Sequence, residues 1–226
     1  MSQDRLEQLA RSWRSNAQAW TGAVRGQQIE SRRLVTDAAI VQATLARTPR
    51  RVLDVGCGEG WLCRALAAHG IEAVGVDASA PLIDAARAAG GAAYHVRSYA
   101  ELVSAPEELG HFDAVVCNFA LLEADLSALL AALRSLLRAG GVLLIQTVHP
   151  WTARGEAPYR DGWRTETFAG FGAGFTEAMP WFYRTLESWV ASLRAAGWRI
   201  EEIGEPPHPQ TGEPASLVLV AAPAGA

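Results

Sequence analysis

The stretch Arg51–Gly60, RVLDVGCGEG, decides how this chain is expected to fold. It begins with a short apolar run that Asp54 interrupts, and it ends in the alternating glycines Gly56, Gly58 and Gly60. An apolar segment of helical character, Trp61–His69, follows. This order predicts a buried strand, a tight turn and the start of a helix. Glycine suits the turn because it adopts positive φ and, without a Cβ, lets a ligand approach the backbone.

A second apolar strand, Ile71–Val76, ends at another acid, Asp77. Asp77 lies about twenty residues after the first glycine, where nucleotide-binding folds place an acid that meets the ribose hydroxyls. A carboxylate can accept from both hydroxyls at once. The alternative is that Asp77 caps the helix that starts near Pro81, a role for which Ser79 competes.

The spacing of the glycines argues against a dinucleotide fingerprint, which would require G-x-G-x-x-G and therefore a glycine at Trp61. The observed D-x-G-x-G-x-G resembles motif I of the class I S-adenosylmethionine (SAM) methyltransferases. That resemblance implies SAM as the methyl donor and S-adenosylhomocysteine (SAH) as the product. It also implies that the donor contacts the following residues of the two strand ends: Asp54, Gly56, Cys57, Gly58, Gly60, Asp77 and Ala78.

The remaining chain alternates strands and helices, which predicts a single α/β domain over residues 1–226. The predicted strands are 51–55, 71–76, 93–96, 112–117, 142–147, 198–203 and 217–221, and the predicted helices between them are about 60–69, 80–89, 126–138 and 185–196. The resemblance covers residues 51–221. It implies a Rossmann-like, seven-stranded, mostly parallel sheet with an antiparallel last strand and helices on both faces.

Residues 1–48 carry apolar residues at helical spacing, and a second helix is predicted from about Gln28 to Ala46. In small-molecule methyltransferases such a segment folds over the donor as a helical N-terminal lid. On that resemblance Trp20 and Arg32 or Arg33 are expected to contact the donor, an arginine binding its carboxylate through paired N–H groups. The alternative is a pair of amphipathic helices that only covers a sheet edge.

Two further strand ends are expected to complete the donor site. After the third strand, Ser98 stands where many family members carry an acid that meets the adenine, and Tyr99 follows. After the fourth strand, the resemblance places Asn118 and Phe119 beside the methyl group and adenine. The sequence there, Asn118-Phe119-Ala120-Leu121, lacks the prolines of the N-P-P-[YF] motif of amino-directed nucleic-acid methyltransferases, which argues against that subclass.

Residues 148–183 are rich in glycine, proline and aromatic residues and are predicted to be an irregular substrate lid. Aromatic side chains provide apolar pocket walls with occasional polar groups. Trp151, Trp181 and Tyr183 are the predicted acceptor contacts. The alternatives are a separate hydrophobic cluster or a dimer contact.

Ligands bind outside the carboxyl ends of the strands in open parallel sheets, and this rule selects two histidines. His149 follows the fifth strand and is the first candidate for a general base; His208 follows the sixth strand and is the second, with Glu205 as an orienting group. A base helps a hydroxyl acceptor, whereas an amine can react without one, and the alternative for His149 is that it only makes hydrogen bonds within the lid. O-methylation of a small aromatic or apolar metabolite is therefore favoured. N- or C-methylation, tRNA modification and a non-catalytic SAM-binding domain remain alternatives.

The composition restricts the partners. The 226 residues carry a formal net charge of −4, and the arginines are scattered, so a nucleic-acid partner is not expected. The chain has three cysteines, Cys57, Cys63 and Cys117, which cannot all pair in disulfides. This fits a reduced, cytoplasmic protein. No metal-ligand spacing, secretory signal or bilayer-spanning run occurs, so a metal and a membrane are not expected. A monomer or a homodimer is expected.

Overall fold

A computed structural model describes residues 2–225, so Met1 and Ala226 of the predicted domain lie outside the described residues. The centre is a sheet of seven strands in the order β3-β2-β1-β4-β5-β9-β8. These strands are β1 (Arg51–Val55), β2 (Glu72–Asp77), β3 (Ala93–Val96), β4 (Phe112–Asn118), β5 (Leu137–Val148), β8 (Trp198–Gly204) and β9 (Ser216–Pro223). A separate two-stranded hairpin is formed by β6 (Gly162–Glu166) and β7 (Met179–Tyr183).

Strands β1 to β5 pair in parallel, and β9 is inserted antiparallel between β5 and β8. The predicted fold class, a mostly parallel seven-stranded sheet with an antiparallel last strand, is therefore confirmed. Because β8 is antiparallel to β9, it runs in the direction of β5. The carboxyl ends of all six parallel strands thus share one edge of the sheet.

The helices cover both faces of the sheet. They are α1 (Ser2–Ser15), α2 (Ala17–Arg25), α3 (Asp37–Leu45), α4 (Trp61–Ala67), α5 (Ala80–Ala89), α6 (Tyr99–Ser104), α7 (Ser127–Ser135), α8 (Pro150–Ala153) and α9 (Leu186–Ala195). Alternate residues of β1 enter two different cores, since Leu53 packs with α6, α7 and α9 while Val52 packs with α3, α4 and α5. This alternation is the period of a strand that is buried on both faces.

Strand β5 starts earlier than predicted. It begins at Leu137, which pairs with Phe112, and the register then shifts so that Ala114 pairs with Val142. The glycine pair Gly140–Gly141 therefore lies in an irregularity inside the strand, and α7 ends at Ser135 instead of reaching residue 138. Glycines at such a point permit the extra residues to loop out of the ladder.

The segment 148–183 is more regular than predicted. It contains α8 and the β6–β7 hairpin, in which Trp163 pairs with Phe182 at a ring-centroid distance of 5.6 Å. The prediction that this segment is irregular was wrong, because the hairpin connection of residues 167–178 is too long to give a turn signature, while its role as a lid stays a prediction. The helix predicted at residues 28–46 is present, with a π-helical turn at Arg32–Thr36 before α3.

Candidate active site

The glycine turn between β1 and α4 lies at the carboxyl edge of the sheet. Its amides bind the end of β2, since Gly56 N–H and Cys57 N–H donate to the Val76 carbonyl at 2.8 and 3.0 Å. Gly56 has φ +76°, and a Cβ there would lie 2.4 Å from the Cβ of Ala120. At Gly60 a Cβ would come within 2.7 Å of the Tyr94 ring. Close neighbours on both sides therefore explain why these two positions lack a side chain.

Asp77 is attached to the glycine turn by its carboxylate. One oxygen accepts from Gly58 N–H at 2.9 Å and the other accepts from Ser79 N–H at 2.8 Å. Burial raises the pKa of Asp77, and these two hydrogen bonds oppose that rise. Each carboxylate oxygen retains acceptor capacity, so the same group could still receive ribose hydroxyls. Asp77 also supports the start of α5, where the Ser79 side chain makes no capping hydrogen bond.

Asp54 provides the test of whether this site fits the predicted donor. Its side chain is buried, Oδ2 accepts a weak bond from Cys63 Sγ at 3.6 Å, and Oδ1 has no partner among residues 2–225. Burial raises the pKa of Asp54 to about 7. A buried carboxylate with an unused oxygen is stabilised by a cation, and the methionine part of SAM carries an ammonium group. The residues therefore fit the donor.

Arg32, a predicted lid residue, is already paired and stacked on aromatic rings. Its guanidinium pairs with Asp37 at 2.9 Å and lies 4.6 Å from the centre of the Trp61 ring and 5.8 Å from that of Trp20. Its charge also acts on Asp54, whose pKa it lowers against the larger effect of burial. Arg33, the alternative, shares with Arg32 the lining of a cavity of about 110 Å³.

The N-terminal helices lie over the glycine turn. The Trp20 indole nitrogen is 3.5 Å from the position of a Cβ on Gly58. At the end of α2, Arg25 Nε binds Glu59 Oε2 at 2.7 Å. Glu59 is fully buried and is also bound by Arg64 at 2.6 and 2.8 Å. Sequence reasoning missed Arg25 and Glu59, although an acid between two glycines of the turn was a usable signal.

The buried residue Asn16 joins these helices to the aromatic segment. Its amide nitrogen donates to the Glu177 carbonyl at 2.6 Å, and its oxygen accepts from Thr176 N–H at 2.8 Å. Around this contact lies an aromatic cluster of Leu9, Trp13, Leu122, Phe168, Phe171, Phe175, Met179 and Trp181. The N-terminal helices and the aromatic segment therefore pack together as one layer. The role of Asn16 in joining them was not identified from the sequence.

The end of β4 contributes a strained junction. Phe119 has φ +52°, which is unusual for a residue with a Cβ, and its N–H donates to the Gln146 carbonyl at 2.7 Å. The buried Oδ1 of Asn118 has no partner among residues 2–225. Tyr99 OH donates to the Ala120 carbonyl at 2.7 Å and lies 3.9 Å from the position of a Cβ on Gly56. Tyr99 thus lies beside the glycine turn, while the donor contacts predicted for Asn118, Phe119 and Tyr99 stay predictions.

Of three further predicted donor contacts, two have side chains that are used elsewhere in the fold. The Ser98 side chain forms a capping box with Glu101 at the start of α6, which occupies its hydroxyl. The Cys57 side chain packs in the core beneath the turn, so only its backbone is available to a ligand. Ala78 is exposed beside Asp77.

The two candidate bases are placed differently. His149 is buried; its Nε2 lies 2.8 Å from Glu205 Oε1, and its Nδ1 accepts from Trp151 N–H at 3.3 Å. Since a backbone N–H is only a donor, Nδ1 is the unprotonated nitrogen and Nε2 donates to Glu205. His208 lies in the turn that follows the outer strand β8, and its Nδ1 accepts from Gln210 N–H at 3.4 Å. The structure therefore places Glu205, the predicted orienting group, beside His149 and not beside His208.

The predicted acceptor contacts divide into three environments. Trp181 belongs to the aromatic cluster. Tyr183 is fully buried, and its hydroxyl already donates its proton to the Pro150 carbonyl at 2.6 Å. Trp151 is 55% exposed.

No group of three or more potential metal-ligating side chains occurs in the described part of the chain. None of its helices is long and apolar enough to cross a membrane.

Comparison with known families gives a match over most of the chain. The family described as a methyltransferase domain matches residues 28–203.

Curated relatives match part of the chain. Ubiquinone biosynthesis O-methyltransferase of Xanthomonas campestris pv. campestris (strain B100) is 38% identical over 115 residues, which cover 48% of this chain and 47% of the relative. The enzyme of the same name from Sinorhizobium medicae (strain WSM419) is 34% identical over 102 residues, covering 44% and 41%. The matched region thus spans about half the length of these relatives or less.

Solved structures share the fold. The DhpI–SAH complex covers 100% of both chains with a TM-score of 0.67 and 18% identity. A putative SAM-dependent methyltransferase from Listeria monocytogenes has a TM-score of 0.62 and 22% identity, covering 77% of this chain and 90% of that one. At these identities the likeness concerns the fold.

Proposed function

The chain belongs to the methyltransferase-domain family, whose methyl donor is SAM, and on that premise we propose that it methylates a hydroxyl of a small aromatic or apolar acceptor. The observation that carries the proposal is the buried, incompletely paired Asp54 beneath a glycine turn that Trp20 covers. The partial similarity to O-methyltransferases supports oxygen as the accepting atom.

We assign the donor to the edge formed by β1, β2 and β4. Asp54 and Arg32 would face the charged methionine part, and Asp77 would accept from the ribose hydroxyls. Asn118 and Phe119 would border the adenine and the reacting centre. When bound, SAM supplies a methyl group already activated by the positive sulfonium. The protein's own tasks are to align the acceptor, exclude water and remove a proton, and alignment is worth roughly 7–11 kcal/mol when the geometry is tight.

His149 is the proposed general base, with Glu205 as its positioning residue. His149 Nε2 donates its proton to Glu205 Oε1 at a nitrogen–oxygen distance of 2.8 Å, which leaves the lone pair on Nδ1. That lone pair now receives only a long 3.3 Å bond from Trp151 N–H, which an acceptor hydroxyl could replace. In this arrangement Glu205 orients His149, and His149 can remove the proton of the acceptor hydroxyl during methyl transfer. His208 is the second candidate.

The aromatic cluster supports an apolar acceptor. It lies under the N-terminal helices and includes Leu122, which follows the β4 junction, and Trp181 from the hairpin. The Phe182 N–H donates to the Leu122 carbonyl at 2.8 Å, so the hairpin is attached beside that junction. Rings on several elements give a wall suited to a flat molecule. Net charge −4 offers no attraction to a nucleic acid.

The first test is calorimetric titration with SAM and SAH, followed by transfer of a labelled methyl group to a panel of phenols, amines and thiols. We expect both nucleosides to bind and the label to appear as a methyl ether in the product, identified by mass spectrometry. Label on nitrogen or carbon would contradict the oxygen assignment. Binding without transfer to any acceptor would leave a non-catalytic SAM-binding domain as the better description.

The second test separates the two histidines. His149→Ala should lower the rate of transfer by about 10²–10⁴-fold with little change in SAM affinity, as expected for loss of a general base. The transfer rate of His208→Ala tests His208, the second candidate for the general base. His69→Ala is the control, because His69 follows α4 at the opposite end of the sheet and its Nδ1 contacts the Ala65 carbonyl. Wild-type turnover in the His149 variant would exclude it as the base.

A further inference from the structure

Two arginines beside the predicted acceptor region lack an acidic partner. The Arg154 guanidinium lies 4.1 Å from the centre of the Trp151 ring, and the Arg164 guanidinium lies 3.5 Å from that of Tyr183. Within residues 2–225 neither forms an ion pair, and the Nε of Arg154 is buried without a hydrogen-bond partner. In a chain with more acids than bases, two unpaired guanidiniums in one place are unexpected.

The two side chains converge on the same spot. Arg164 Nη1 donates to the Ala153 carbonyl at 2.7 Å, so its guanidinium is held next to residue 154. Burial raises the pKa of Tyr183, and the positive charges of Arg164 and Arg154 both oppose that rise. The nearby Asp161 accepts from Thr185 N–H at 2.8 Å, which uses one of its oxygens at a different point of the backbone.

The surface around these arginines is aromatic and open. Trp151 is 55% and Tyr159 is 41% exposed, although large aromatic side chains are usually covered. Their ring centroids are 5.9 Å apart, and Tyr159 lies 6.4 Å from Tyr183, which lies 6.0 Å from Trp181. An exposed row of rings that leads to a buried cluster marks a surface for binding a ligand.

We propose that Arg154 and Arg164 form an anionic subsite that binds a carboxylate of the acceptor, so that the enzyme methylates the hydroxyl of an aromatic acid. A guanidinium that stacks on a ring keeps its edge free for paired hydrogen bonds to a carboxylate. The position follows from the chain, because α8 begins directly after His149 and ends beside Arg154. This inference rests on the proposed function, since it specifies the acceptor of the same site.

The test compares two probes that differ in one group, 3,4-dihydroxybenzoate and its neutral amide, 3,4-dihydroxybenzamide. Each is titrated into the full chain with saturating SAH, so that the measurement does not depend on turnover. The wild type should bind the acid about tenfold or more tightly than the amide, the effect of one charge-assisted contact. High salt should reduce this preference, because the subsite is partly exposed.

Variants identify the side chains responsible. Arg154→Gln and Arg164→Gln should each abolish most of the preference for the acid while amide and SAH affinities remain. Arg154→Lys should restore part of it. Arg160→Gln is the matched control, since Arg160 is an exposed arginine of the same segment. Equal affinity for the two probes, binding of neither, or a preference that survives both glutamine variants would overturn the subsite.

Failure of this inference is distinguishable from failure of the proposed function. A wild type that methylates neutral phenols without preferring acids would retain O-methylation and lose the subsite. A wild type that prefers the acid in binding but places label on nitrogen would retain the anionic subsite and lose the assignment of O-methylation.

Discussion

At the residue scale, the carboxyl group of Asp54 links burial to donor binding. Its pKa rises from 3.8 to about 7 because the buried charge is poorly solvated. The folded chain therefore holds a proton here that the unfolded chain releases at lower pH. The stability from this group is fully present below about pH 4 and is lost as the pH rises through 7. A cationic ligand would stabilise the ionised form and reverse that loss.

We therefore expect the affinity for SAM to increase with pH up to about 7 and then to level off. Asp54→Asn should bind SAM about tenfold or more weakly at pH 8, because the charge-assisted contact is absent, and should lose this pH dependence. Calorimetry at several pH values measures both effects. Asp84→Asn, an exposed acid on α5, is the control. A flat pH profile in the wild type would argue that Asp54 does not face the donor's cation.

Gly56→Ala tests the close approach of the turn to Ala120. The added methyl group would lie 2.4 Å from the Ala120 Cβ, so the turn or the β4 junction must move and SAM affinity should fall about tenfold or more. Gly70→Ala separates this clash from backbone strain, because Gly70 has a similar φ of +78° but no atom within 4 Å of an added Cβ. Both variants should lose about 1 kcal/mol of stability from strain, measured by urea unfolding. Equal SAM affinities in the two variants would remove the steric argument.

At the element scale, α2 is attached to the site at both ends. Asn16 joins its start to the aromatic segment, and Arg25 joins its end to the buried Glu59 of the glycine turn. Arg25 also donates to the Ala85 carbonyl of α5 at 2.9 Å. The helix that carries Trp20 is therefore connected to the elements on which the donor is expected to lie. The lid and the glycine turn should move together.

Arg25→Gln should release the end of α2 and increase the rate at which SAM dissociates. The expected loss of affinity is between about threefold and tenfold, because the arginine is partly exposed and Glu59 retains Arg64. Stopped-flow displacement of SAM by SAH gives the dissociation rate. Arg14→Gln, an exposed arginine of α1, should leave that rate unchanged. An unchanged rate in both variants would show that this ion pair does not restrain the lid.

At the scale of the whole molecule, the proposed donor site collects residues from the N-terminal helices and from the ends of β1, β2 and β4. These parts belong to three hydrophobic clusters, two on the faces of the sheet and one beneath the lid. A ligand held among them binds the folded chain and not the unfolded one. Its binding energy therefore adds to the stability of the whole domain.

SAH at about 100 times its Kd should raise the free energy of unfolding by about 2.7 kcal/mol. For a domain of this size that corresponds to a rise in Tm of about 5–10 °C. Hydrogen exchange should slow most in α1, α2 and the glycine turn. At the same SAH concentration, Asp54→Asn should show a smaller rise. Slower exchange only around β8 and β9 would contradict the proposed position of the donor site at the ends of β1, β2 and β4.

The local signals of the chain were sufficient for most of the sheet. Each strand from β1 to β4 is a short apolar run bounded by glycine or a polar residue, and these runs are visible without tertiary contacts. Asp54, Asp77 and the glycines could be singled out as candidates because the motif places them at fixed spacings. The sequence pattern did not predict the start of β5, where the register shifts. It also did not predict the β6–β7 hairpin, whose two strands are separated by a long connection.

The sequence by itself determined the alternating α/β fold and the position of the glycine turn at the carboxyl edge of the sheet, because these depend on short-range periodicity and backbone geometry. Only the tertiary structure decided that Asn16 binds the aromatic segment and Arg25 binds Glu59, that Glu205 meets His149, and that Arg154 and Arg164 converge without an acidic partner. These contacts join side chains that are far apart in the chain. Their meeting depends on how the elements pack, which no local pattern records.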